Sequence, residues 1–158
     1  MAENYYGSLS MPKHLIDAEI ENQIRVDFNL DPIDYSLSCS LYSSCETFEE
    51  NGVITFTDAM AQNGCFETLE SLLIEKKVPY DRYSSSFYES PPSRSYFRPD
   101  ATVPEIDLTL DHNEDTYINT CDLEPLLSLS ADQIVPALKE LLEVHDPKVR
   151  PLSAYVPQ

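Results

Sequence analysis

The densest set of oxygen side chains lies in residues 111–122, which read Asp-His-Asn-Glu-Asp-Thr-Tyr-Ile-Asn-Thr-Cys-Asp. Read as an EF-hand loop, this segment places possible calcium ligands at positions 1, 3, 5, 7, 9 and 12. Thr116 replaces the glycine that the sharp turn needs, and Asp122 is shorter than the usual bidentate glutamate. An acidic β-hairpin turn fits with fewer exceptions. Calcium stays as an alternative, with the ligands Asp111, Asn113, Asp115, Tyr117 (through its carbonyl), Asn119 and Asp122.

Patterns for other metal or catalytic chemistry are missing from the sequence. The cysteines at positions 39, 45, 65 and 121 form no C-x-x-C pair, and the three histidines add no zinc spacing. With only three glycines, the chain has no P-loop, dinucleotide-binding or nucleophile-elbow motif. No set of nucleophile, base and orienting group can be nominated. We therefore predict a protein that is not an enzyme and uses no cofactor.

Charge is the strongest signal in the sequence, with 28 acidic and ten basic residues and a net charge of −18. Residues 26–75 hold ten acids and residues 99–138 hold nine, and neither block has a lysine or arginine. Such blocks cannot form interleaved ion pairs. The sign argues against direct nucleic-acid binding and against an anionic membrane. It favours a basic protein partner, with a merely solubilising surface as the alternative.

Alternation in residues 105–110 suggests how these carboxylates could be presented. If Ile106, Leu108 and Leu110 point inwards, Glu105, Asp107 and Asp111 lie on the other face of the strand. Side chains on one strand face recur about every 6.5–7 Å, close to the phosphate spacing of a nucleic-acid strand. A second acidic group, Glu46, Glu49 and Glu50, precedes the Asn51-Gly52 turn in a segment that we expect to be a loop. We expect this group to form a second anionic ridge with Glu114, Asp115, Asp122 and Glu124. The predicted partner-binding residues are Glu46, Glu49, Glu50, Glu105, Asp107, Asp111, Glu114, Asp115, Asp122 and Glu124.

Hydrophobic periodicity predicts one α+β domain over residues 1–158, in which residues 1–10 either join the fold or form a flexible arm. Ser130 and Gln133 form a capping-box pattern before a helix with an apolar stripe. The order of elements favours a mainly antiparallel sheet with about three helices packed on it. We expect helices over 11–25, from 61 or 65 to 77 and after 130, with a short turn of helix at 123–128. The expected strands are 35–42, 53–57, 80–83, 86–88, 96–97, 105–110 and 116–121. The stripe of the last helix is Ile134, Val135, Leu138, Leu141 and Leu142.

A resemblance adds to this interpretation. Segments 52–58, 64–70, 79–82 and 96–99 resemble uncharacterised plasmid-borne proteins. Small size, strong acidity and a missing catalytic motif resemble the anti-defence proteins of phages and plasmids, including anti-restriction and anti-CRISPR proteins that mimic DNA in charge. The resemblance implies an inhibitor that docks on the nucleic-acid channel of a bacterial immune complex, in the host cytoplasm.

Two alternatives for the partner remain open. The same electrostatics would suit an immunity or antitoxin protein that neutralises a basic nuclease toxin. Residues 76–98 carry a net charge of +3, so this strip could instead pair with an acidic ridge on a second copy and give a homodimer. No run of 18 apolar residues occurs, so we expect no membrane span.

Overall fold

The computed structural model describes residues 4–28, 45–88 and 90–157. Within these ranges, six strands form one antiparallel sheet in the order β2-β3-β1-β4-β5-β6, and four α-helices accompany it, so the predicted α+β class is confirmed. The strands are β1 Asn4–Pro12, β2 Cys45–Glu50, β3 Val53–Gln62, β4 Tyr80–Ser84, β5 Ser93–Phe97 and β6 Glu105–Thr109. The helices are α1 Ala18–Asp27, α2 Glu67–Glu75, α3 Thr120–Leu123 and α4 Ala131–His145.

The N-terminal segment, considered above as a flexible arm, forms β1 in the interior of the sheet from Asn4 onwards. Leu9 and Met11 alternate along it, and both are fully buried. Ser10 points to the opposite face, where its hydroxyl lies 2.7 Å from the hydroxyl of Thr55. The serines that give this segment a polar composition are therefore accommodated within the sheet.

The predicted Asn51-Gly52 turn connects β2 and β3. Both residues have positive φ angles, 51° and 75°, which is the backbone conformation of a type I′ hairpin turn. The three glutamates before the turn were expected in a loop, and this is wrong because Glu46, Glu49 and Glu50 pair with β3 as part of strand β2. The predicted strand over 35–42 lies outside the described residues.

Two helices cover one face of the sheet. α1 begins at Ala18 rather than near residue 11 because Asp17 caps it, accepting hydrogen bonds from the amides of Glu19 and Ile20. α2 lies within the predicted second helix, but it begins at Glu67 because β3 continues to Gln62, and it ends before Lys77, whose φ is 57°. The core formed with the sheet comprises Leu9, Met11, Ile20, Ile24, Phe28, Ile54, Phe56, Ala61, Phe66, Leu69, Leu73, Val78, Tyr80 and Phe97.

The predicted strands at 80–83, 96–97 and 105–110 are confirmed as β4, β5 and β6, and two shorter predictions are not. Residues 86–88 contribute only an isolated bridge between Phe87 and Ser90. The proposed partner strand over 116–121 contributes only a bridge between Leu110 and Thr116. Asn119 caps α3 immediately afterwards, so the chain enters a helix instead of continuing the hairpin.

The last helix, α4, forms where predicted, with the Ser130 and Gln133 capping box. Its predicted apolar stripe, however, contains no buried residue, because α4 packs chiefly on the 3₁₀ turn Glu124–Ser128 rather than on the sheet. The chain then returns to β1 through the 3₁₀ turn Leu152–Tyr155, where Leu152 is buried. No helix in the described ranges is both long enough and apolar enough to span a bilayer.

Candidate functional site

The site with the clearest geometry is a groove of about 400 Å³ between α2 and the strands β4 to β6. Here the sheet extends beyond the helical layer, and α2 forms one wall. The groove is lined by Glu67, Glu70, Ser71, Ile74, Tyr80, Arg82, Ser95, Tyr96, Glu105, Ile106 and Asp107. Because four of these residues are carboxylates and one is a cation, we call it the acidic groove.

The floor of the acidic groove is set by the register of three strands. Arg82 pairs with Ser95 across β4 and β5, and Ser95 pairs with Asp107 across β5 and β6. Directly opposed residues in an antiparallel sheet project from the same face about 5 Å apart. The Arg82 guanidinium accordingly donates to the Ser95 hydroxyl, which donates to the Asp107 carboxylate. The result is a polar row across the sheet.

Glu70 connects this row to α2. Its Oε1 accepts a hydrogen bond of 2.9 Å from the amide of Phe66 at the start of the helix. Its Oε2 lies 3.2 Å from Nε of Arg82 and accepts a bond of 3.4 Å from the Tyr80 hydroxyl. The Arg82–Glu70 contact is an ion pair rather than an aligned hydrogen bond, since Nε lacks an acceptor in a suitable direction.

Two ionisable groups beside the Arg82 guanidinium stay protonated. Burial, reinforced by the Glu70 carboxylate, raises the pKa of Tyr80 above its ordinary value of 10. Burial also raises the pKa of the Cys65 thiol, whose sulfur lies 3.3 Å from Nη1 of Arg82. A neutral thiol is a poor nucleophile. The raised pKa therefore keeps the Cys65 sulfur in its less nucleophilic form.

The charges in the groove are layered. The Arg82 side chain is 12% exposed, whereas that of Asp107 is 80% exposed, and Glu67 and Glu105 are also exposed. The cation therefore lies at the floor and the carboxylates at the rim. Such a rim can accept a guanidinium or ammonium group from outside, with stronger attraction than on a flat surface because the surroundings exclude part of the solvent.

The structure brings two of the predicted partner-binding residues into this groove. Glu105 and Asp107 alternate on β6 with the partly buried Ile106 and Leu108. The two acids lie on the sheet face that α1 and α2 cover, because the polar row continues in register to the buried Leu9. The expectation that Ile106 and Leu108 point into this core is therefore wrong. The sequence pattern did not identify Glu67 and Glu70 as part of the site, although Arg82 indicated that a carboxylate lies near it. A charged residue in phase with the inward-facing Tyr80 on a strand indicates a carboxylate nearby.

The turn after β6 holds the next three predicted acids. Asp111 Oδ1 accepts hydrogen bonds from the amides of Asn113 and Asp115, at 2.8 and 3.0 Å, and these amides lower the pKa of Asp111. Glu114 takes the left-handed conformation and accepts a bond of 2.7 Å from the Tyr83 hydroxyl. It also lies 3.6 Å from Arg94. These contacts fix the turn against the sheet.

This geometry bears on the calcium alternative. Asp111 already binds backbone amides, and Asp122 accepts from the amide of Asn119 and lies 3.9 Å from His145. The segment is entered from strand β6 rather than from a helix. Within the described ranges, no three acidic, histidine or cysteine side chains converge as metal ligands. Calcium binding by the six candidate ligands therefore stays a prediction. These ligands are Asp111, Asn113, Asp115, Tyr117, Asn119 and Asp122.

The remaining predicted acids lie elsewhere. Glu46, Glu49 and Glu50 occupy β2 at the opposite edge of the sheet from β6, roughly 24 Å away at about 4.8 Å per strand. Glu49 pairs with Lys13 at 2.6 Å. Glu124 begins the 3₁₀ turn after α3. The expected second ridge is therefore wrong, because Glu46, Glu49 and Glu50 lie at the sheet edge opposite to β6 and the turn that follows it.

No protein-family model, curated protein or solved structure matches this chain. By its architecture, this is an α+β protein with an antiparallel sheet and an acidic groove at one end of that sheet.

Proposed function

We propose that the protein is a non-catalytic inhibitor whose acidic groove and adjoining β6 edge bind the lysine- and arginine-rich nucleic-acid-binding surface of a bacterial defence complex. The observation that carries the proposal is the layering of charge in the groove, with Arg82 at the floor and exposed carboxylates at the rim. A surface of this kind is suited to receiving positive groups from a partner.

The distribution of cations supports the proposal. Most of the basic side chains lie within 4 Å of a carboxylate of the same chain, so each already has an acidic partner. Arg82 and Arg98 are largely buried, so these two cations stabilise the fold rather than neutralise the outer surface. A net charge of −18 destabilises the compact state by self-repulsion. A basic partner would relieve that repulsion. The paired cations are Lys13, Arg25, Lys76, Arg82, Arg94, Arg98 and Arg150.

The geometry of β6 supports mimicry of a nucleic acid. Glu105 and Asp107 project from the same strand face, about 6.5–7 Å apart, which is near the spacing of successive phosphates. The acidic groove beside them has room for a lysine or arginine side chain. Electrostatic steering then gives fast association that salt weakens.

The experiment is a defence assay in bacteria that carry a restriction or CRISPR system, with and without the protein. We expect the protein to restore phage plating, and the charge-reversed pair Glu105→Lys and Asp107→Lys to lose this effect. The matched control reverses Glu46 and Glu50 on the opposite edge, which changes the net charge equally. If both charge-reversed variants lose phage plating equally, the effect depends on net charge alone. If the wild-type protein restores plating in none of the systems, the proposal is contradicted.

A further inference from the structure

The C-terminal lobe, defined as residues 111–149, has no core of its own. All of its residues are described, and none of their side chains is buried. It nevertheless contains an amphipathic helix, α4, which packs chiefly on the 3₁₀ turn before it. Helices in proteins owe most of their stability to burial of an apolar face. The sequence therefore provides an apolar face that the described part of the chain leaves uncovered.

The uncovered face is a continuous strip along α4. Val135, Leu138 and Leu142 follow the i, i+3, i+7 spacing of one helix face, and their exposed fractions are 56%, 36% and 53%. Ile134 and Leu141, on the adjacent side of the helix, are half-buried. Isolated exposed leucines are ordinary, but an aligned strip is the pattern that groove-binding helices use as anchors.

The surrounding charge determines what could cover this strip. The lobe holds nine acidic residues against Lys139 and Lys148. Asp132, Glu140, Glu143 and Asp146 lie on or beside α4, and all four are exposed. A second copy would bring the same negative charge to the contact, and like charges across an interface cost several kcal/mol. A complementary surface is apolar in the middle and basic at its border.

We propose that the α4 strip is a docking surface for a protein whose apolar contact area is bordered by lysine or arginine. The inference rests on the proposed function in that both require a basic partner, and it adds a second contact with a different physical basis. The acidic groove attracts through charge, whereas the strip contributes apolar burial, which salt does not weaken.

The test uses a synthetic amphipathic helix of leucine and lysine as the probe, at about 0.15 M salt. We expect it to bind the wild type, and the pair Val135→Gln and Leu142→Gln to weaken binding about tenfold or more. Glutamine keeps a good helix propensity, so α4 should persist. Val26→Gln, which removes an equally exposed valine from α1, is the matched control and should leave affinity unchanged.

Three outcomes would overturn the inference. One is unchanged affinity of the glutamine pair for the leucine–lysine helix. Another is equal binding of a leucine–glutamate helix, since charge would then play no part. The third is a dimeric wild type in sedimentation that the glutamine pair converts to a monomer, because a second copy would then occupy the strip. If the pair proves unfolded by circular dichroism, Leu142→Gln alone replaces it under the same criteria.

Binding of poly-lysine separates this inference from the proposed function. Poly-lysine carries charge without an apolar face, so it should bind the wild type and the glutamine pair equally. Failure of poly-lysine to bind either protein would count against the electrostatic function, while a retained response to the leucine–lysine helix would still support the strip.

Discussion

Arg82 and Glu70 join strand β4 to helix α2 through an ion pair of 3.2 Å between Nε and Oε2, with side chains only 12% and 15% exposed. The same guanidinium donates to Ser84 and Ser95. One side chain thus shapes the floor of the acidic groove and fixes the helix that forms its wall. Charge at this site has a structural role at the floor and a proposed recognition role at the rim.

Removal of Arg82 should destabilise the protein strongly. In Arg82→Gln, the mostly buried Glu70 loses its counter-charge, and breaking such a pair costs roughly 3 kcal/mol. The exposed pair of Arg150 with Asp100 provides the comparison, since Arg150→Gln should cost less than about 1 kcal/mol. Urea unfolding measures both. Similar losses in the two variants would contradict the assigned role of Arg82.

Arg98 should control the attachment of the C-terminal tail. It is 3% exposed, and it donates to the carbonyls of Tyr80, Phe97 and Arg150 and to the carboxylate of Asp81. Burial raises the pKa of Asp81, and the Arg98 guanidinium opposes that rise. Arg98→Ala should therefore cost about 3–5 kcal/mol.

Limited proteolysis gives a local measure of the same change. In Arg98→Ala, the segment from residue 150 loses the bond to its carbonyl, so cleavage there should become faster than at other sites. A lower overall stability with unchanged order of cleavage would mean that Arg98 supports the sheet without fastening the tail.

Asp27 should make stability depend on pH in the direction opposite to most carboxylates. Burial raises its pKa above the ordinary 3.8, and its Oδ2 is buried without a hydrogen-bond donor. The folded state therefore holds the proton more tightly than the unfolded chain, and stability falls as pH rises from 3.8 through the raised value.

Asp27→Asn removes that dependence and should stabilise the protein at pH 7 by on the order of 1 kcal/mol, with no gain below pH 3.8. Asp132→Asn is the control of opposite sign, because the Ser130 hydroxyl lowers the pKa of Asp132. The Asp132 carboxylate therefore contributes to stability only above its ordinary pKa of 3.8. Melting temperatures across pH measure both. A destabilised Asp27→Asn at pH 7 would contradict the interpretation of Asp27.

Gly52 should tolerate no side chain. Its φ is 75°, and a Cβ there would lie 2.6 Å from a methyl group of Val156 in the C-terminal tail. Gly52→Ala should cost about 1–2 kcal/mol from the left-handed backbone alone, with a further loss from displacing the tail. Asn51→Gly, at φ 51°, should be close to neutral. Equal unfolding midpoints in urea for both variants would refute this.

Much of the fold followed from the sequence because local patterns agree with tertiary contacts. The Asn-Gly turn, the alternation of β6 and the capping box of α4 are each specified within a few residues. Where a local pattern is ambiguous, the surroundings decide. The serines of β1 give it the polar composition of an exposed arm, but the hydroxyl of Ser10 is paired with that of Thr55 across the sheet.

The acidic groove was predictable only in part. Alternation predicted that Glu105 and Asp107 share one exposed face of β6, but not that this is the face that α2 borders. The contributions of Glu67 and Glu70 depend on where α2 crosses the sheet, which no short-range pattern specifies. The separation of Glu46 from Glu105 by four intervening strands likewise follows from strand order, because neighbours in a sheet need not be neighbours in the chain.

In the proposed function, the carboxylates around the acidic groove occupy the site on the partner that would otherwise hold nucleic acid. The most direct measurement is competition on a purified DNA-binding defence complex, followed by fluorescence anisotropy of a labelled duplex. We predict that the wild type displaces the duplex, less effectively as salt rises, and that Glu105→Lys with Asp107→Lys fails to do so. A ternary complex that retains the labelled duplex while this protein is bound would contradict the account.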